Sequence, residues 1–192
     1  MDFISEEIEQ WIGNQDESNK YIIGVTIEIF GSKIDTEEHI KIGELTGDFF
    51  ESESVRNIGF QELCDMVSTD LEHMASAITN NGNIKDEICD FDENLMYIDR
   101  IFIDEKYRGM GIAGYIISNL KKILEYSVNL NPHVLILLPN PQEKDKEGML
   151  HETENTAEKE ANKQKLIDLY KKLGFIEIEN TNYMIKRTLG SF

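Results

Sequence analysis

Cysteine, proline and tryptophan are scarce in this chain of 192 residues, which contains two cysteines, three prolines and one tryptophan. Cys64 and Cys89 are too few for a disulfide framework or a thiolate metal site. The longest unbroken apolar run, residues 134–138, is far shorter than the roughly 20 residues that span a bilayer. The N-terminus is acidic, where a signal peptide would be basic and then apolar. These absences predict a cytoplasmic protein, a single domain over residues 1–192, with no metal and no membrane partner.

The charge is strongly negative and unevenly distributed. Acidic residues number 37 and basic residues 19, which gives a net charge of −18 at pH 7. Residues 1–100 contain 24 acidic and 6 basic residues, whereas residues 101–192 contain 13 of each. Such a chain lacks the basic face that nucleic-acid phosphates require, so no nucleic-acid partner is expected. The acidic half is either a solvated surface that aids solubility or a field that attracts a cationic partner.

The spacing of apolar residues predicts an α+β domain. A strand at 95–103, a helix at 109–127 and a strand at 133–138 predict a right-handed parallel crossover. Gly43 and Gly47 predict a bulge or a bend in the second strand of an N-terminal hairpin. The other predicted segments are helices at 3–12, 58–79 and 161–173, strands at 21–30, 39–50, 175–179 and 182–187, and a surface loop at 142–160.

The segment most informative about chemistry is RGMGIA, at residues 108–113. It lies between a predicted buried strand and a predicted amphipathic helix. Unpaired backbone N–H groups and the helix dipole favour an anion at such a position. Glycines allow a ligand to approach the backbone closely, and Arg108 adds positive charge. The segment therefore predicts an anion site that suits a pyrophosphate.

A dinucleotide-binding loop is one alternative, because Gly109, Gly111 and Gly114 have the spacing G-x-G-x-x-G. Its context disagrees, since residues 104–108 separate the strand from the first glycine. The next strand also lacks a terminal acid to hold a ribose. A phosphate-binding P-loop would need the ending Gly-Lys-Ser/Thr, which this segment does not have.

The same segment resembles the Gln/Arg-x-x-Gly-x-Gly/Ala signature of the GCN5-related N-acetyltransferase (GNAT) family, with Arg108, Gly111 and Ala113 in register. The sequence LYKKLGF at residues 169–175 is similar to that family's Tyr-x-Lys-x-Gly-Phe pattern at its last helix. The resemblance covers residues 94–188 and is weaker before them. It implies a mixed, mostly antiparallel sheet flanked by helices, with a parallel, splayed strand pair at an acyl-CoA site.

The resemblance further implies an N-acetyltransferase that moves an acetyl group from acetyl-CoA to a primary amine by direct transfer. Backbone N–H groups of the loop would hold the pyrophosphate, and backbone groups of the preceding strand would pair with the pantetheine. A backbone N–H near Ile101 would polarise the thioester carbonyl. The implied cofactor-binding residues are Ile101, Ile103, Arg108, Gly109, Met110, Gly111, Ile112 and Ala113.

Two catalytic residues follow from the same resemblance. Tyr170 would protonate the departing thiolate, and Asp99 would act as the base that takes the proton of the amine. Asp99 lies two residues before Ile101 and is expected on the same face of the strand, with Tyr97 next along that face. A packed tyrosine and a salt-bridged surface acid are the structural alternatives. Weaker candidates for the base are Glu44 and Glu93.

The implied partners are acetyl-CoA and an amine, and the acidic half favours a cationic amine. A homodimer is compatible with the resemblance, because many relatives pair through sheet edges. Fold alone does not fix function, so two alternatives stay open. One is a non-catalytic acyl-CoA-binding regulatory module, and the other is an acidic interaction protein whose loop binds nothing.

Overall fold

The computed structural model describes residues 3–9, 21–32, 39–90, 92–144, 150–152 and 156–188. The first half comprises β1 (Phe3–Glu9), β2 (Ile22–Ser32), β3 (His39–Phe50), α1 (Ser52–Ile58), α2 (Phe60–Asp65), α3 (Thr69–Ile78), β4 (Thr79–Asn80) and β5 (Asn83–Ile84). The second half comprises β6 (Leu95–Ile103), α4 (Ile112–Val128), β7 (Val134–Leu137), β8 (Gln142–Lys144), β9 (Leu150–Glu152), α5 (Thr156–Lys172), β10 (Ile176–Glu177) and β11 (Met184–Arg187).

Seven of these strands form one sheet in the order β1-β2-β3-β6-β7-β11-β10. Every neighbouring pair is antiparallel except β6 and β7, which are parallel and are connected through α4. The fold class expected from the sequence, a mixed and mostly antiparallel sheet flanked by helices, is therefore confirmed.

Two hydrophobic cores cover the two faces of this sheet. On the α4–α5 face, Ile116 and Leu120 of α4 belong to the same core as Met96 of β6. On the α1–α3 face, Phe60 of α2 belongs to a core that includes Tyr97 of β6. Strand β6 is buried on both faces over its first four residues, as a central strand should be. Side chains on β6 therefore point alternately into two different layers.

The helix predicted over residues 3–12 is wrong. Residues Phe3–Glu9 form β1, which pairs with β2 so that Glu9 lies opposite Thr26. Apolar residues three and four apart favour a helix, but a neighbouring edge strand offers the backbone a complete set of hydrogen-bond partners. Residues 10–12 of that predicted helix lie outside the described residues.

The single helix predicted over residues 58–79 is divided into three helices. Gly59 separates α1 from α2 with a φ of 98°, a conformation that glycine adopts without steric cost. Ser68 separates α2 from α3, and its side chain accepts a hydrogen bond from the backbone N–H of Leu71 at 3.2 Å. This N-cap begins a new helix within the same apolar periodicity.

The surface loop predicted over residues 142–160 is partly regular. It contains the short antiparallel pair β8–β9 and the first residues of α5, while residues 145–149 and 153–155 lie outside the described residues. Among the residues described, no helix has the length and apolar character needed to cross a bilayer.

Candidate functional site

Strand β6 is paired along its whole length on one side and only along part of it on the other. It pairs with β3 from Leu95 to Ile103, but with β7 only from Leu95 to Ile98. Pro139 and Pro141 follow β7, and proline has no N–H with which to extend the ladder. Residues 99–103 are therefore left without a strand partner on the β7 side. We call this opening between β6 and β7 the cleft.

A cavity of about 280 Å³ occupies the cleft. Its walls come from the second half of β6, from the segment after β7 and from α5. Its lining residues are Ile98, Asp99, Arg100, Ile101, Phe102, Ile103, Arg108, Leu137, Leu138, Asn140, Pro141, Gln142, Asn162, Lys165, Leu166 and Tyr170. The cavity thus brings together residues of β6, β7 and α5 that are distant in the chain, from Ile98 to Tyr170, and its surface is partly polar and partly apolar.

A β-bulge lies at the point where the cleft begins. Thr46 lies opposite Arg100 and Gly47 lies opposite Ile98, so Asp99 is the extra residue on β6. The bulge interrupts the alternation of side chains. The hydroxyl of Thr46 donates a hydrogen bond to the Asp99 carboxylate at 3.2 Å.

This bulge corrects the expected orientation of Asp99. Ile101 lies opposite Leu45 and packs against the core on the α4–α5 face. Asp99 reaches Thr46, the neighbour of Leu45 on β3, whose side chain points to the other face. Asp99 and Tyr97 therefore lie on the α1–α3 face, whereas Ile101 lies on the opposite one. A bulge or bend was predicted in β3 at Gly43 and Gly47. Beside Gly43 the extra residue is Ile42 of β3, whereas beside Gly47 the extra residue belongs to β6.

The RGMGIA segment forms the turn that leads into α4. Gly111 is the N-cap of α4 with φ 82°, and the first backbone hydrogen bond of the helix runs from the Tyr115 N–H to the Gly111 carbonyl at 2.9 Å. Within the described residues, the N–H groups of residues 109–114 have no intramolecular acceptor. They form the open positive end of a helix dipole.

Arg108 connects this turn to the cleft. Its Nε donates to the carbonyl oxygen of Ile103 at 2.9 Å, and its guanidinium carbon lies 5.5 Å from the ring centre of Phe102. Both contacts hold the guanidinium at the end of β6, between the cavity and the N-terminus of α4. A positive charge in this position suits an anion that extends out of the cleft.

Tyr170 lies at the opposite wall of the cavity, on α5. It is buried, and its ring centre lies 5.8 Å from that of Phe175. Burial raises the pKa of the Tyr170 phenol to about 12, because water no longer stabilises the phenolate. At neutral pH the side chain therefore holds its proton and is available as a hydrogen-bond or proton donor.

Most of the residues predicted for the site are brought together. Asp99, Ile101, Ile103, Arg108 and Tyr170 all line the cavity. The remaining predicted loop residues continue from Arg108 to the start of α4 and are Gly109, Met110, Gly111, Ile112 and Ala113.

The weaker candidates for the base either lie away from the cavity or have their charge neutralised by ion pairs. Glu44 forms ion pairs with Lys41 at 3.0 Å and with Arg100 at 3.3 Å. Glu93 precedes the other end of β6 and pairs with Arg187 at 2.7 Å. In the part of the chain that the structure describes, no cluster of His, Cys, Asp and Glu is suited to holding a metal ion.

Asp48 is a candidate functional residue that the sequence reasoning missed. It lies on β3 opposite Tyr97, and it is half-buried. Burial first, and the nearby charge of Asp99 second, raise the pKa of its carboxyl to about 6. The signal in the sequence is an acid set between Gly47 and the two apolar residues that end the strand.

Comparison with known proteins finds similarity only among solved structures. No family model matches the chain, and no curated protein matches it. The crystal structure of AtaTR bound with AcCoA is 15% identical, with 88% of this chain and 69% of that chain covered and a TM-score of 0.41. The KacTA–DNA complex is 11% identical, with 95% and 93% covered and a TM-score of 0.43. Arabidopsis thaliana NAA60 in complex with a bisubstrate analogue is 18% identical, with 88% and 77% covered and a TM-score of 0.40.

Proposed function

We propose that this chain is an acyl-CoA-dependent N-acetyltransferase that moves an acetyl group from acetyl-CoA to a primary amine. The observation that supports this most is the cleft, because it places a stretch of β6 that β7 does not pair with between an open helix N-terminus and a buried tyrosine. The three features suit the three parts of an acyl-CoA: an extended amide chain, a pyrophosphate and a thioester.

The stretch of β6 beyond its pairing with β7 suits the pantetheine arm. Residues 99–103 keep backbone groups that no strand on the β7 side satisfies. An extended chain with two amide groups can bind there as an added strand does, through backbone hydrogen bonds. Ile101 and Ile103 are the residues proposed for this pairing. The Ile103 carbonyl already accepts from Arg108, which favours Ile101 as the principal contact.

The N-terminus of α4 suits the pyrophosphate. The N–H groups of residues 109–113 lie where the helix dipole is positive, and Arg108 stands beside them. Gly109 and Gly111 have space around them, since a Cβ at either would meet nothing within 4 Å. A phosphate group can therefore approach the backbone directly, as the predicted site requires.

Transfer would follow from these positions. An ammonium acceptor first loses one proton to solvent, which leaves a neutral amine with a free electron pair. The amine attacks the thioester carbon and forms a C–N bond, and a base takes the second proton from the nitrogen. The tetrahedral intermediate then breaks its C–S bond and expels the thiolate. Tyr170 donates its proton to the departing thiolate and regains one from water. A backbone N–H near Ile101 stabilises the oxyanion of the tetrahedral intermediate. The products are an acetamide and the free CoA thiol.

The acceptor that we propose is a cationic amine. Asp99 lines the cavity, and Asp48 on the neighbouring strand is close enough for the two charges to interact. Burial first, and the charges of nearby acids including Asp70 of α3 after it, raise the pKa of Tyr97 on the same face. This negative field attracts an ammonium group. Turnover of a polyamine should therefore fall with ionic strength, while equal turnover of a neutral acceptor at all salt concentrations would contradict this choice.

Two measurements test the proposed function in sequence. In thermal unfolding, addition of acetyl-CoA or CoA should raise the Tm by several degrees. A ligand at 100 times its Kd stabilises the native state by about 2.7 kcal/mol. Release of CoA thiol should then be observed with amines such as spermidine, putrescine and benzylamine. No rise at millimolar ligand would overturn the cofactor assignment.

The non-catalytic acyl-CoA-binding module is the alternative function. It predicts the same rise in Tm with no release of thiol above the rate of spontaneous hydrolysis for any amine. The buried Tyr170 within the cavity favours the enzyme, because a protein that only binds acyl-CoA needs no proton donor at that wall.

A further inference from the structure

We propose that the acceptor carries an amide next to its amino group, as the first residue of a peptide does, and that Arg100 and Gln142 recognise this amide. The inference rests on the proposed function and deepens it, because it names one class among the cationic amines. It is supported by two buried polar atoms of the cleft that have no partner, and by the bulge that turns two consecutive side chains to one face.

Two buried side-chain atoms in the described part of the chain have no hydrogen-bond partner, the Nε of Arg100 and the Oε1 of Gln142. Both residues line the cavity in the cleft. Buried polar atoms in native proteins are nearly always paired, so an orphaned one needs an explanation. One of the two atoms is a donor and the other is an acceptor. A ligand group that offers both an acceptor and a donor, such as an amide, matches this pair.

The two orphaned atoms come from different walls of the cleft. Arg100 belongs to the part of β6 that β7 does not pair with, and Gln142 begins β8, directly after Pro141. Neither atom is exposed to water, so a hydrogen bond to a ligand replaces no hydrogen bond from the protein to solvent. Each such bond therefore contributes more to binding than a bond made by a solvated group.

The Arg100 side chain is held in a way that leaves its Nε usable. One terminal nitrogen of the guanidinium lies 3.3 Å from the Glu44 carboxylate, which is its ion pair on this face. In the proposed complex, the side chain rotates about this single contact and turns Nε toward the cavity. The Gln142 amide turns in the same way about its last side-chain bond.

The bulge places a carboxylate beside this guanidinium. Arg100 lies opposite Thr46, and the Asp99 carboxylate accepts its hydrogen bond from the hydroxyl of the same Thr46. The two consecutive side chains therefore lie on one face of β6, where regular alternation would place them on opposite faces. This is the α1–α3 face, whereas Tyr170 belongs to the core on the other face. Asp99 and Arg100 thus stand together on the side of the cleft away from the features assigned to acetyl-CoA.

An α-amino amide has polar groups that match this set: an ammonium, a carbonyl oxygen and an N–H. The ammonium suits the Asp99 carboxylate, the carbonyl oxygen accepts from the Arg100 Nε, and the N–H donates to the Gln142 Oε1. A polyamine has no carbonyl oxygen and leaves the Arg100 donor without a partner. An α-amino group, with an ordinary pKa of about 8, also loses its first proton more readily than a lysine-like ammonium at about 10.4.

The first test compares acceptors that lose one of these groups at a time. Alaninamide has all three groups, alanine methyl ester lacks the amide N–H, and isopropylamine lacks both the N–H and the carbonyl. Thiol release from acetyl-CoA gives kcat/KM for each acceptor, expressed per concentration of unprotonated amine so that their different pKa values do not enter. Alaninamide should exceed the ester by about tenfold and isopropylamine by about 100-fold, because a site built to hydrogen-bond a group rejects analogues that lack it.

The second test removes the protein partners. Gln142→Met deletes Oε1 at similar size, so the tenfold ratio of alaninamide to its methyl ester should fall to about one. Arg100→Lys keeps a positive charge for Glu44 but has no N–H at the Nε position, so the ratio of the ester to isopropylamine should fall likewise. Lys41→Met is the matched control, because Lys41 is the other partner of Glu44 but does not line the cavity. It should keep both ratios of the wild type.

A tetrapeptide that begins with alanine identifies the source of the amide. Turnover as fast as that of alaninamide indicates a peptide N-terminus, and turnover of alaninamide alone indicates a small amino-acid amide. Thermal shift with acetyl-CoA checks that each variant is folded and binds the donor. The comparison of acceptors on the wild type needs no variant, so a variant that fails to fold leaves that test intact.

Contrary results separate this inference from the proposed function. Wild-type protein that turns over alaninamide no faster than isopropylamine, or a folded Gln142→Met enzyme that keeps the wild-type ratio, would overturn the recognition of an amide. In both cases, binding of acetyl-CoA and thiol release with any amine would still support the proposed function. Wild-type protein that binds no acetyl-CoA, or that releases no thiol with any amine tested, would contradict the proposed function and this inference with it.

Discussion

Gly47 on β3 packs directly against the backbone of Tyr97 on β6: a Cβ atom at Gly47 would lie 2.1 Å from the Tyr97 carbonyl oxygen and 2.7 Å from the Met96 side chain. The first neighbour is backbone and has nowhere to move without disturbing the β3–β6 pair. Gly47→Ala should therefore lower the free energy of unfolding by about 2 kcal/mol or more and displace the bulge that carries Asp99. Urea unfolding measures the loss of stability.

Gly24→Ala is the matched control for that variant. Gly24 lies on β2 opposite Asp48, in the same sheet, and a Cβ there would meet nothing within 4 Å. Its unfolding free energy should stay within about 0.5 kcal/mol of the wild type. Equal stability of the two variants would contradict the close approach at Gly47.

The turn before α4 predicts a separate effect on ligand affinity. Gly111→Ala places a side chain at φ 82°, which costs about 1 to 2 kcal/mol, and puts a methyl group at the proposed phosphate site. Gly82→Ala, at φ 81° in the turn between β4 and β5, has the same backbone strain away from the cleft. Both variants should lose similar stability, whereas only Gly111→Ala should weaken acetyl-CoA binding, by about tenfold or more, as measured by calorimetry.

Tyr170→Phe tests the proton donor. It removes one hydroxyl from the cavity and keeps the ring that packs against Phe175. We expect kcat to fall by about 10² to 10⁴ with little change in acetyl-CoA affinity. Tyr126→Phe, at a tyrosine that is 96% exposed on α4, should leave both quantities unchanged. A Tyr170→Phe enzyme with full kcat would assign the tyrosine to packing alone.

The raised pKa of Asp48 also predicts an effect on the free energy of unfolding, which can be measured without substrate. Its pKa rises from 3.8 in the unfolded chain to about 6 in the folded one, so the folded state binds the proton more tightly. The stability that this proton gives is fully present below the unfolded pKa and is lost as pH rises through the folded pKa. Asp48→Asn should therefore be more stable than the wild type at pH 7.5, by up to about 3 kcal/mol.

The same comparison below about pH 4 provides the internal control, because wild-type Asp48 is then protonated in both states. The difference in unfolding free energy between wild type and Asp48→Asn should nearly vanish there. Asp65→Asn controls for net charge at both pH values. A variant less stable than the wild type at pH 7.5 would contradict the burial of an unpaired carboxylate at this position.

The sequence predicted best where a local pattern has one structural solution. The apolar run 101–103 predicted a strand buried on both faces, and glycines before α4 mark a helix start. Division of the 58–79 segment was missed, because three short helices can share one apolar periodicity, and only the left-handed φ of Gly59 separates the first two.

Which residues lie opposite one another on neighbouring strands could not be predicted from the local sequence pattern. The alternation rule placed Asp99 on the face of Ile101, but the extra residue in β6 reverses that placement. Asp48 went unnoticed for a related reason: its importance depends on the approach of Asp99 and on burial under α2 and α3, both set by chain segments distant in sequence. Register is a property of the pair of strands, and no single strand encodes it alone.

The four residue pairs between β6 and β7 are also the only strand pairing, among the described residues, between two halves of the sheet. One half contains β1, β2, β3 and β6, and the other contains β7, β11 and β10. Both hydrophobic cores contain residues of β6 and of β7, so the halves separate only when both cores open. A ligand that spans the cleft touches both halves and resists that separation. Amide hydrogen exchange at β7 should therefore slow on addition of acetyl-CoA, even though β7 itself lies away from the phosphate loop.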